Sequence, residues 1–223
     1  MKKGATNLDM NFIINSMPYL LEGSIMTIKL TVITLVFGTL LGILMALFKI
    51  TKNIFISSFS TLYTWIFRGT PMLLQLFFFY NALPMMGITL APFTAAVLGL
   101  SLNCGAYMGE IIRGGIISVD KGQFEASKAL GFTYFQTMTK IVLPQTLRNI
   151  IPSVGNEFIT MLKDTSLVSA IAMSELMRSA NQIASTTFKY TEMLLAAAFL
   201  YLLMTTIFTS AFSFLEKKLS VYA

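Results

Sequence analysis

The sequence has no histidine among its 223 residues. This removes histidine-based nucleophilic triads, imidazole metal sites and imidazole proton relays. A single cysteine, Cys104, excludes an intrachain disulfide. Charge is scarce too. Only 12% of the residues are charged, about half the ~25% of a soluble domain. With 55% of residues hydrophobic, intrinsic disorder is excluded. Apolar runs longer than a core strand or helix argue against a soluble globular domain. The net charge of +6 comes without a dense basic run, so nucleic acid is not an expected partner. The chain lacks G-x-x-x-x-G-K-[ST] and therefore a phosphate-cradling loop. No lipidation motif is visible. The first apolar run is too long for a signal-peptide core and reads as a retained helix.

What is present is a series of apolar runs. A bilayer core of ~30 Å takes roughly 20 helical residues. Five runs meet that length: 25–48, 55–83, 92–112, 150–172 and 193–215. The expected fold is one all-α polytopic membrane domain over residues 1–223. In the first run Gly38 and Gly42 form a small-xxx-small pair that permits close helix packing. The second run is interrupted by Arg68-Gly69-Thr70-Pro71. Pro71 removes a backbone donor and kinks a helix, and Arg68 inside a membrane needs a partner or water. These two residues read as gate or structural elements. The third run has a polar centre (Ser101, Asn103, Cys104, Gly105), and Glu110 and Arg113 near its end are spaced for a structural ion pair. The fourth carries Asn156, Glu157, Lys163 and Asp164. Most of the 15 methionines read as lipid-facing or core filler, although methionine also suits moving contacts.

Five crossings put the termini on opposite sides. One side then holds Lys49, Lys52, Arg113, Lys121, Lys128, Lys140, Arg148, Lys217 and Lys218. The other holds Lys2, Lys3, Arg178 and Lys189. Basic residues gather on the cytoplasmic side, so the N-terminus is expected outside and the C-terminus inside. Residues 114–149 become a long cytoplasmic loop. It reads as two short helices around Gly131, which suits the left-handed position that ends the first. Thr133 and Gln136 form a capping box for the second, and Pro144 begins a further helical piece.

Within that loop the sequence is Glu125-Ala126-Ser127-Lys128-Ala129-Leu130-Gly131, and nine residues later Ile141-Val142-Leu143-Pro144. It resembles the E-A-A-x-x-x-G-x9-I-x-L-P loop of permease subunits of binding-protein-dependent ABC importers, with Ser127 for the third residue. Other segments resemble the polar amino acid permeases of the histidine, glutamine and arginine kind. They are Arg68-Gly69-Thr70-Pro71 with Leu73-Leu74-Gln75, Ser101 to Tyr107, Glu110 to Ile116, Gly155 to Phe158 and Lys163 to Leu167. The resemblance implies a type I ABC importer fold with a five-helix core, seated in the bacterial cytoplasmic (inner) membrane. It also implies paired permease subunits (a homodimer favoured), two ATPase subunits and an extracellular binding protein. ATP and Mg would be used by the ATPase; this chain would bind no cofactor or metal and would not itself be an enzyme.

The residues of the loop suit such a role. Small side chains at Ala126, Ser127 and Ala129 let another protein surface approach. Phe124 and Leu130 can fill an apolar cleft, Glu125 can meet a basic group, and Gly131 sets the angle to the next helix. A plain amphipathic connector lying on the membrane is the competing reading.

A substrate path is argued from the fourth run. Glu157 and Asp164 are seven residues apart, within about 20° on a helix and ~10.5 Å along it. Thr160 lies between them, and Asn156 and Lys163 form a neighbouring pair. Intramembrane charges usually face a cavity or one another. Asn103, Thr160, Glu157, Lys163 and Asp164 are therefore candidate substrate contacts. Lys163 or Arg68 would meet a carboxylate, and Asp164 or Glu157 an ammonium or guanidinium. The alternative is that these charges pair internally and hold the bundle together. Two aligned carboxylates lean towards arginine, lysine or histidine as substrate. An ATP-independent secondary carrier or channel is the main competing function. A membrane enzyme would need acid–base chemistry without histidine.

Overall fold

The computed structural model describes residues 8–220. Lys2 and Lys3, which enter the charge count, lie outside the described residues. The first helix, α1 (Met10–Ile50), has 41 residues. It begins well before the apolar run expected from residue 25, because Asp9 caps it by accepting the Phe12 N–H at 3.0 Å. Phe12, Met17 and Leu20 of this early part pack into a common core with later helices. Asn53 caps α2 (Ile54–Gly69) in the same way. At Thr70–Pro71 the backbone becomes extended, and α3 (Met72–Phe77) restarts from Pro71. The second apolar run is thus two helices. A wide turn over 78–82 and a tight one over 83–86 lead to Gly87.

Next come α4 (Pro92–Ile117), α5 (Lys121–Ala129) and α6 (Tyr134–Thr137). A wide helical turn over 138–142 then leads into α7 (Leu143–Asp164), with Pro144 in its first turn. A 3-10 segment over 165–171 extends α7. Residues 174–191, read from their mixed charge as a loop, contain α8 (Leu176–Thr187). Its Leu176, Ala180 and Ala184 are fully buried in the core shared with α1 and α9. The chain's last helix is α9 (Tyr190–Ser220).

Among the described residues α1, α4 and α9 are long and apolar enough to cross a membrane. The other two expected runs take different forms. One is the α2–α3 pair broken at Pro71. The other is α7, whose charged and amide side chains lower its apolarity.

Close approach of α1 and α4 organises the bundle. A Cβ on Gly38 would stand 2.6 Å from Cys104 Sγ, and one on Gly42 would stand 2.7 Å from Met108 Cβ. The small-xxx-small pair is therefore used inside the chain, and Cys104 is a buried packing residue. At the far end of α4, Ile116, Val119 and Val142 make a small core that takes in Phe124 and Met138. This core anchors the α5–α6 segment to the bundle.

Candidate functional site

Two regions stand out, the surface of α5–α6 and the charged face of α7. In the first, Asp120 caps α5 by accepting the Gly122 N–H at 2.6 Å. Gly131 takes the left-handed conformation (φ +76) that stops the helix. The capping box forms as expected: Thr133 Oγ1 accepts from Gln136 N at 3.3 Å, and Gln136 Oε1 accepts from Thr133 N at 2.9 Å. Glu125, Ala126 and Leu130 face outward, with Leu130 76% exposed. Tyr134 and Phe135 extend this apolar surface. Two side chains expected on it turn inward instead. Phe124 packs against the core at the end of α4. Ser127 is buried, donates to the Phe124 carbonyl at 2.9 Å and accepts from Thr137 Oγ1 at 3.0 Å. Ser127 thus ties α5 to α6 and holds their angle.

In the second region, Asn149, Ser153, Asn156, Thr160 and Lys163 form an exposed stripe along α7 at alternating spacings of four and three. Thr160 Oγ1 donates to the Asn156 carbonyl one turn back, at 3.0 Å. Glu157 and Asp164 stand on the shoulder of this stripe. Glu157 is only 8% exposed, and its Oε1 has no hydrogen-bond partner. Such an unpaired buried acceptor is costly unless something arrives to satisfy it. The charged groups that act on Glu157 are Asp164 and Arg68. Arg68 lies over the Tyr107 ring, 5.1 Å from its centroid. None of the ion pairs found among the described residues involves Glu157, Asp164 or Lys163.

Asn103 has a different place from the one expected. Its side-chain amide donates to the Phe67 carbonyl at 2.9 Å and to Gln75 Oε1 at 3.0 Å. Gln75 Nε2 donates to the same Phe67 carbonyl at 2.9 Å and to Thr70. The cause is Pro71. It has no N–H for the carbonyl four residues back, which is Phe67. In a membrane a freed carbonyl must be satisfied by the protein, and the two amides do this. The polar centre of α4 therefore supports the α2–α3 break.

Glu110 and Arg113 pair as expected, at 3.0 Å. Glu110 also pairs with Lys49 of α1, which donates to Thr64 of α2 at 2.8 Å. This network joins α1, α2 and α4. Sequence reasoning missed Lys49 here, and it missed Gln75 and Tyr107 in the contacts above. It also missed Glu175, which is fully buried. The Glu175 carboxylate caps α8 through the N–H groups of Met177 and Arg178, at 2.9 and 2.7 Å. It also accepts from Tyr201 of α9 at 2.8 Å and from Thr27 of α1 at 3.4 Å. An acid just ahead of an amphipathic helix is the signal that could have revealed it.

At the start of α1, Lys189 bonds the Asp9 carboxylate at 2.5 Å and holds it below the usual carboxylate range. Nearby, Phe188 is 84% exposed at a positive φ of 58. Among the described residues no group of three or more His, Cys, Asp or Glu side chains is arranged to hold a metal.

A family model described as binding-protein-dependent transport system inner membrane component matches residues 38–221. A protein of Bacillus subtilis named as the arginine transport system permease ArtQ is 42% identical over 217 residues, spanning 96% of this chain and 98% of that one. One of Rickettsia bellii, named as a glutamine transport system permease GlnP, is 41% identical over 204 residues, spanning 91% and 94%. A crystal structure of an amino acid ABC transporter with histidines superposes with a TM-score of 0.91 at 39% identity, covering 96% of this chain and 100% of that one.

Proposed function

The chain belongs to the family of inner membrane components of binding-protein-dependent transport systems, and we propose that it moves polar amino acids, preferentially cationic ones, through a path walled by α7. Membership in this family brings an ATPase partner and a binding protein. The fold is that of a type I ABC importer permease.

The observation that carries the substrate reading is Glu157, a buried carboxylate with an unsatisfied oxygen, about two helical turns from Asp164 on α7. A charge held in a membrane helix with no ion-pair partner among the described residues marks a pathway rather than a tie-bar. Two carboxylates a helical repeat apart favour an ammonium or guanidinium, and Arg68 and Lys163 offer a counterpart for the substrate carboxylate. The relatives named for arginine and for glutamine share the overall chain, so the preference for a cation rests on these side chains and not on the likeness.

The exposed polar stripe of α7 is unsuited to hydrocarbon. It suits a water-lined path facing a second permease subunit, and we favour a second copy of this chain. The apolar surface of Leu130, Tyr134 and Phe135, with Glu125 beside it, suits the ATPase. ATP is hydrolysed there, and this chain binds no nucleotide or metal. The positive-inside count favours the N-terminus outside, which puts α5 in the cytoplasm. The outward loops, residues 84–91 and 174–191, then receive the binding protein. A secondary carrier would leave the exposed surface of α5–α6 without a task.

The test is competitive uptake in proteoliposomes holding this chain, its ATPase and its binding protein. Glu157→Gln is expected to lower arginine uptake at least tenfold in relation to glutamine uptake, as loss of one buried charge partner would (about 1.4 kcal/mol or more). An unchanged ratio would refute the cationic preference.

A further inference from the structure

An open apolar cavity of about 550 Å³ lies between α1, α4, α7 and α9. Ile43 and Leu47 line it from α1, Ile112 from α4, Leu147 and Val154 from α7, and Leu215 from α9. Its two lining hydroxyls are those of Thr39 and Thr146, and Thr146 already donates to the Gly115 carbonyl at 3.5 Å. Leu47, Leu147 and Leu215 are exposed, so the cavity opens on the flank of the bundle. Along α1 the lining runs from Thr39 to Leu47, about 12 Å at 1.5 Å per residue. That approaches the depth of one leaflet, half of a ~30 Å core.

The faces of α7 decide what fills it. Leu143, Leu147, Ile151 and Val154 form the apolar stripe that lines the cavity. They lie roughly opposite the polar stripe of Asn149, Ser153, Asn156, Thr160 and Lys163. If the polar stripe takes the water-lined path and the second subunit, the apolar one is left to the bilayer. An unfilled cavity of this size forfeits dispersion contacts along its whole wall. The end of the cavity at Leu47, Leu143 and Leu215 is basic in sequence. Lys49 and Lys52 follow Leu47, Lys140 precedes Leu143, and Glu216, Lys217 and Lys218 follow Leu215, so lysines outnumber the acid there. Glu110, an acid on that side of the bundle, is already paired with Lys49 and Arg113.

We propose that this cavity is a binding site for an anionic phospholipid. One acyl chain lies along α1, α7 and α9, and the phosphate sits at the basic end near Lys217 and Lys218. Basic groups at the mouth of an interhelical cleft select anionic headgroups, while the apolar wall takes any acyl chain. The inference rests on the membrane reading and on the assignment of the α7 polar stripe, not on which amino acid is carried.

The test uses the permease assembled with its ATPase subunits in vesicles of equal phosphatidylglycerol and phosphatidylcholine. Acyl-brominated forms of one lipid or the other serve as fluorescence quenchers. The single tryptophan, Trp65, is 72% exposed on α2 and outside the cavity, and serves as reference. In the unaltered protein the two brominated lipids are expected to quench Trp65 equally. With Leu147→Trp in a Trp65→Phe background, brominated phosphatidylglycerol is expected to quench several-fold more than brominated phosphatidylcholine. Adding Lys217→Gln and Lys218→Gln should bring that ratio to one. Leu215→Trp is a second reporter with the same expectations, should Leu147→Trp not assemble. Equal quenching by both lipids in the cavity would overturn the site, as would a ratio indifferent to the two lysines. No quenching at all would show that protein, such as a second copy, covers the cavity.

Discussion

At the residue scale, Pro71 shows how a side chain can dictate the roles of others. Its missing N–H leaves the Phe67 carbonyl to be satisfied by Gln75 and Asn103. Asn103→Leu would remove one of those donors and strand Gln75 Oε1. The expected loss is about 1–3 kcal/mol, read as a lower unfolding midpoint in detergent, with the preference among amino acids unaltered. Were Asn103 a substrate contact, the preference would shift instead. Phe188 is the converse case, a residue whose local geometry opposes it. A bulky side chain at positive φ is strained, and its 84% exposure gives little packing in return. Phe188→Gly should leave thermal stability equal or higher while lowering stimulation of ATP hydrolysis by the binding protein. A fall in stability would show that the ring packs rather than docks.

At the element scale, the contact between α1 and α4 depends on glycines. Gly38→Leu would drive a side chain into Cys104, 2.6 Å from a Cβ at that position. Overpacking of this kind typically costs about 1–3 kcal/mol, to be measured as a lower melting temperature of the purified chain. The α5–α6 unit should respond differently. Ser127→Val would remove the hydroxyl shared with Phe124 and Thr137. ATP hydrolysis is then expected to continue while uptake per ATP falls, because the angle between the two short helices loosens.

These elements also show what was legible beforehand. The α5–α6 unit could be read because its determinants are local: a glycine stop at Gly131 and a capping box over the four residues 133–136. The break at Pro71 and the pairing of Glu110 with Arg113 were local too. The partnership of Asn103 with Gln75 joins residues 28 apart, and that of Glu175 with Thr27 spans 148. No periodicity encodes such pairs, since they arise only once helices pack. Mixed charge hid α8 for a related reason. Its small buried residues, Ala180 and Ala184, carry little hydropathy, yet they pack because α1 and α9 come close. The inward turns of Phe124 and Ser127 were hidden likewise, since sequence alone does not say which face of a nine-residue helix meets the bundle.

At the scale of the whole molecule, the two proposed functional surfaces sit on one continuous stretch. The proposed coupling surface of α5–α6 leads through the turn at 138–142 directly into α7, which carries Glu157 and Asp164. A displacement of the α5–α6 unit, whose angle Ser127 holds, would thus be passed to the charged wall through a continuous helical segment from α6 to α7. The measurement that tests this most directly is ATP-dependent uptake of labelled arginine in proteoliposomes, with ATP hydrolysis followed in the same samples. The unaltered chain, assembled with its ATPase and binding protein, is compared with Glu125→Arg and with Leu130→Asp. Uptake that requires ATP and is abolished by either substitution is the predicted result. Uptake that proceeds without ATP, or that ignores both substitutions, would contradict the account.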